Sequence, residues 1–192
     1  RTDWTLSVLD AVDAKQMSRE SVSDRFLRRA MLQRSDAVSA RIQAEWGKLE
    51  GVSTEAMYQQ IQSHQQVILA ADGNLYAGKQ LFDKKCAKCH RLFEEGGAIG
   101  PDLTPYQRLD LPRMLLNVVN PSAEIREGFE THLIITADGR SLSGFIEDQD
   151  NRVLILKDAE GNRHTLLQSE VDERVMLKRS VMPERLLEDL SE

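Results

Sequence analysis

The chain has 192 residues, 41% hydrophobic and 29% charged, with a formal net charge of −6. That length holds one large or two small domains with buried cores, and the acidic balance argues against a broad basic face for nucleic acid. No apolar run approaches the length of a membrane span. No apolar secretory core follows the opening "RTDWTLSVLD", and residue 1 is Arg, so the chain reads as processed or as a piece of a longer one.

Residues 1–72 read as helical. "TDWTLSVLDAV" places Trp4, Leu6, Leu9 and Val12 near helical spacing. "SVSDRFLRRAMLQ" pairs Ser21 with Asp24 as a capping-box-like start, followed by the stripe Phe26, Leu27, Ala30 and Met31. Ser35 and Asp36 open a third helix carrying Val38, Ile42 and Trp46, and Gly51 lies beyond it. "STEAMYQQIQSHQQVILA" is a fourth, with Met57, Ile61, Ile68 and Leu69 expected inward. Short helices and polar turns suggest a small bundle or the end of an α-solenoid, although no repeat period is evident.

The turn "ADGN" (71–74) marks the expected boundary, giving a helical unit over 1–72 and a second domain over 73–192. "LYAGKQLFDKK" predicts a helix running into the only two cysteines. "RLFEEGGAIGPDLTPYQ" reads as a loop, and "LPRMLLNVVN" as a helix stopped by Pro121. From about 129 to 179 the pattern changes to β-rich runs punctuated by Asp138-Gly139, Asp148–Asn151 and Glu160–Asn162, an antiparallel meander. "RVMLKRS" offers a fifth strand and "PERLLEDL" a return to helix. The fold class is therefore mainly α with an inserted antiparallel β unit.

Chemistry concentrates at Cys86-Ala-Lys-Cys89-His90. A zinc site needs four ligands, and the other histidines, His64, His132 and His164, are dispersed and unpaired. A thioredoxin-like dithiol belongs at a strand-to-helix turn, whereas here a helix leads in and a loop leads out. The Cys-x-x-Cys-His pattern fits c-type haem attachment at every position: two thiols form thioethers and the adjacent imidazole reaches the iron. Nothing like a catalytic triad, a phosphate loop or a paired acid–base site stands out.

Residues 75–128 resemble a class I cytochrome c, on Gly78, Phe82, Cys86, Cys89, His90 and "GAIGPDLT". The resemblance implies that Pro101 lends its carbonyl to the haem histidine and that Leu103 packs on the haem. The longer stretch, with "GKQLFDKKCAKCH", "LLNVVNPSAEI", "GFETHLIITADGRSLSGFI" and "SVMPERL", is similar to the haem-binding C-terminal module of large exported planctomycete and verrucomicrobial proteins. That module is often appended to a β-propeller sugar-dehydrogenase-like region and helical repeats. It implies one covalent haem c and a periplasmic or otherwise exported bacterial location. The expected partner is a redox protein or an attached dehydrogenase, and the role is one-electron transfer rather than catalysis.

For the sixth iron ligand, Met114 sits among core-like neighbours and Met176 in a strand expected to bury it. Met182 precedes Pro183, which biases it toward extended backbone, and "S-x-M-P" at 180–183 matches the resembled module. Met182 is thus the expected ligand, with Met176, His132 and His164 as alternatives. An open or labile sixth position would instead make this a peroxidase-like or small-ligand module, and a redox-sensing interaction module is a third reading. Arg108 is the preferred cation for a haem propionate, ahead of Arg113, Lys178 and Arg179. The final helix of the class I fold is short here, with only "PERLLEDLSE" after the methionine.

Overall fold

Four helices form from the apolar stripes of the first 72 residues: α1 (Thr2–Asp13), α2 (Asp24–Met31), α3 (Asp36–Trp46) and α4 (Glu55–Ala70). The computed structural model describes residues 2–188 and Leu190. Side-chain oxygens satisfy the otherwise orphaned first-turn amides: Ser23 accepts from Phe26 N, Ser35 from Val38 N and Thr54 from Met57 N. The cap of α2 is therefore Ser23; Ser21, expected in that role, lies in a single 3-10 turn (Arg19–Ser21). Leu9, Val12, Leu27, Ala30, Val38 and Ile42 bury one shared core. Trp4 is exposed and meets Phe26 edge-on at 5.2 Å between ring centroids.

Beyond an exposed turn at 71–74, α5 (Leu75–Lys85) is capped by Asn74, which accepts from Tyr76 N and Ala77 N. A two-residue hairpin, β1 (Arg91–Leu92) and β2 (Glu95–Gly96), interrupts the expected loop. Then α6 (Leu111–Val119) starts at Asp110, with a proline in its first turn. Ile61 of α4 packs with Leu115 and Val119 of α6, flanked by Met57, Leu111 and Leu116. Ile68 and Leu69, expected inward, are exposed, Leu69 at 72%. Length explains this: α4 has 16 residues and α6 only 9, so its C-terminal turns run past the partner.

The remaining strands are β3 (Thr131–Thr136), β4 (Ser141–Gln149), β5 (Val153–Lys157), β6 (Arg163–Leu167) and β7 (Val171–Met176), in the order β6-β5-β4-β3-β7. Every pairing is antiparallel. Ile134, Leu154, Leu156 and Leu166 form the buried face. Because β7 returns beside β3, the sheet's entry and exit adjoin: Leu177 N donates to Thr131 O at 2.7 Å. Met176 lies on this edge strand and is 60% exposed rather than buried, since no further strand covers β7. The helix expected over "PERLLEDL" does not form among its described residues; these make a turn that places Leu187 against the α4–α6 cluster.

Candidate functional site

The cysteine motif continues α5 for one more turn. Cys86 N and Ala87 N both donate to Phe82 O, at 2.8 and 2.9 Å, and Cys89 N and His90 N donate to Cys86 O at 3.0 and 2.9 Å. A spacing of three on a helical turn sets two side chains on the same side, and both thiols are free and half-buried. Burial, and secondarily the neighbouring Cys89, pushes the Cys86 thiol above its ordinary range. A neutral sulfur, as in a thioether, escapes that desolvation cost.

The glycine-rich segment folds back over this turn. Gly97 N donates to Ala87 O (2.7 Å), Ile99 N and Gly100 N to Cys89 O (3.0 and 2.7 Å), and Leu103 N to Arg91 O (2.8 Å). The approach is close enough to demand glycine: a Cβ on Gly100 would lie 2.6 Å from His90 Cε1, and one on Gly97 would lie 2.2 Å from Lys88 O. Phe93 N, in the hairpin turn, donates to Thr104 Oγ1 at 2.7 Å, and Thr104 N to Asp102 Oδ1 at 2.7 Å. Those bonds from Thr104 hold the Asp102 carboxyl below its ordinary range.

At the end of this folded-back loop the Pro101 carbonyl lies 2.9 Å from His90 Nδ1. A carbonyl only accepts, so Nδ1 carries the proton and Nε2 keeps its lone pair for a metal. Cys86, Cys89, His90, Pro101 and Leu103 are thus drawn together by backbone bonds. Arg108 lies on the same loop: its Nη2 donates to Thr104 O (2.9 Å) and Leu103 O (3.3 Å), and its guanidinium lies 5.3 Å from the Phe93 ring centroid. Met182 is half-buried in a separately held segment, with its amide on Ser180 Oγ (3.1 Å) and Ser180 N on Ser122 Oγ (3.2 Å). Gly97, Gly100 and Thr104 were not singled out by the sequence; the glycine spacing in "GGAIGP" was the available signal.

The residues present suit a haem. Among the described residues no three His, Cys, Asp or Glu converge as a metal cluster. Among the described residues, α5 buries none of its own, and Leu81 and Phe93 leave apolar surface exposed near the motif. A flat apolar group fixed at the two thiols would find that surface beside it. No described helix is long and apolar enough to cross a membrane.

No curated protein matches the chain. Residues 75–160 match the family model for cytochrome c. The match supports a cytochrome c domain over this segment, with haem-based electron transfer, and the cofactor such a domain implies is covalent haem c, for which Cys86 and Cys89 have the attachment spacing.

Proposed function

We propose that the chain is a one-electron carrier that receives electrons from an attached or docked dehydrogenase, within an exported, periplasmic protein of the planctomycete and verrucomicrobial kind. The observation that carries this reading is the 2.9 Å contact between His90 Nδ1 and Pro101 O. It supports a ring held in one orientation and one tautomer, as a permanent metal ligand requires. Bound haem supplies the one-electron chemistry at its iron.

Each residue then has a defined task. Cys86 and Cys89 hold the group covalently, and His90 presents Nε2 while Pro101 accepts the Nδ1 proton. Leu103 offers apolar contact. Met182, before Pro183 and half-buried, supplies the sixth ligand as a thioether, which favours the ferrous state. Arg108, bonded to the Leu103 and Thr104 carbonyls, keeps that loop closed.

The test is the mass and spectrum of the full chain after expression with the bacterial maturation machinery. Denatured protein should carry the mass of one haem, and the ferric spectrum should show the weak long-wavelength sulfur-to-iron band. Met182→Ala should abolish that band and lower the reduction potential while covalent haem stays. A high-spin ferric spectrum in the unaltered chain would transfer the assignment to small-ligand chemistry. Absence of haem mass would overturn the reading.

A further inference from the structure

Two separate contacts bring the β5–β6 corner onto the loop that carries Pro101. Lys157, the last residue of β5, donates from Nζ to the Ala98 carbonyl. Its side chain is 16% exposed and lies 3.8 Å from Glu147, itself bonded by Arg163. Gly161, in the following turn, lies against Ile99, which is 8% exposed; a Cβ on Gly161 would sit 3.5 Å from Ile99 Cγ1.

The corner is itself stiff. The Asp158 carboxylate accepts from Glu160 N (3.0 Å), Asn162 N (2.8 Å) and Asn162 Nδ2 (3.0 Å), and it pairs with His164 Nε2 at 2.8 Å. From the opposite side the Ile99 and Gly100 amides are held by Cys89 O. The loop is thereby gripped between the cysteine turn and the sheet, and Pro101 follows directly from the gripped residues.

We infer that the inserted sheet is a brace for the haem histidine, with Lys157 a positioning residue that acts through the Ala98–Pro101 backbone on His90. A largely buried ammonium needs its acceptors, and a charge-assisted hydrogen bond is among the stronger restraints a side chain places on a carbonyl. Holding Ala98 and Ile99 fixes where the Pro101 carbonyl falls. The strength of the His90 Nδ1–H bond in turn sets the ring's basicity. The effect on potential rests on the haem reading above; the brace is a property of the polypeptide itself.

The experiment is residue-resolved amide exchange on the full chain, before and after haem attachment, in Lys157→Met and Lys157→Arg. Losing a charge-assisted bond predicts about tenfold faster exchange at Ile99 and Gly100 in Lys157→Met. Exchange in the β3–β4 ladder should not change, and Lys157→Arg should restore the parental rates. In the haem-loaded chain the His90 Nδ1–H resonance should shift in Lys157→Met and return in Lys157→Arg. Ile99→Ala changes no charge, so a rise in its midpoint potential reports a weakened His90–Pro101 bond. Unchanged Ile99 and Gly100 exchange in Lys157→Met, or acceleration spread evenly over the ladder, would overturn the brace. A chain that takes up no haem would defeat the electron-transfer reading and leave the amide measurement to decide the brace.

Discussion

At Gly100 the His90 ring occupies the space a side chain would need. Gly100→Ala places a carbon 2.6–3.1 Å from three ring atoms, so ring or loop must move. Such overpacking costs about 1–3 kcal/mol. The expected outcome is a lower urea midpoint together with a displaced His90 Nδ1–H resonance. Asp158 gives a pH prediction. His164 first, and then Asn162, hold its carboxyl below the ordinary range. A depressed folded value means that its contribution is complete above the unfolded pKa of about 3.9 and is lost as pH falls through the folded value. Acidification below about pH 4 should therefore loosen the β5–β6 corner, seen as faster exchange at Glu160 and Asn162, whose amides the carboxylate holds. Asp158→Asn should show no such acid step. Residue-level legibility divides by distance along the chain. Cys86, Cys89 and His90 could be read because their geometry is local, and Pro101, eleven positions after His90, only through the resemblance to class I cytochromes c. Lys157 could not, because its acceptor lies 59 residues away.

Among the elements, the sheet and helices follow from period and punctuation, since side-chain alternation and capping act within a few residues. Partnering is what those signals omit. Ile68 and Leu69 have the spacing of a buried face, yet α6 is too short to reach them; Met176 alternates correctly, yet β7 is an edge. The hairpin β1–β2 escaped notice because two-residue strands carry no period. Leu154, fully buried in the sheet, provides the energetic check. Leu154→Ala should cost about 2–5 kcal/mol, measured by denaturant unfolding. Below the transition the haem spectrum should stay unchanged, because the core of the sheet contains none of the proposed ligands.

Over the whole molecule, the boundary read at 71–74 is a turn in the chain across which packing continues. Asn120 Nδ2 donates to Gly51 O (3.0 Å) and Ser53 Oγ (2.9 Å), α4 packs on α6, and Lys178 pairs with Asp24 at 2.9 Å. None of this seam had a local signal, since the Asn120 bonds alone join residues 67 and 69 apart. Proteolysis at the exposed 71–74 turn should therefore yield two fragments that co-elute under native conditions and separate in denaturant; fragments that part without denaturant would contradict the seam. The three apolar clusters draw no residue from 75–110, while α5 leaves Leu75 86% exposed. The helical core, the sheet and the α4–α6 seam thus need no residue of this segment, and a chain folded that far would still leave its thiols open to the attachment enzymes. A Cys86→Ala/Cys89→Ala double variant should still unfold cooperatively by circular dichroism, with its exchange protection lost mainly in α5, while the Ile99 and Gly100 amides on Cys89 O stay protected.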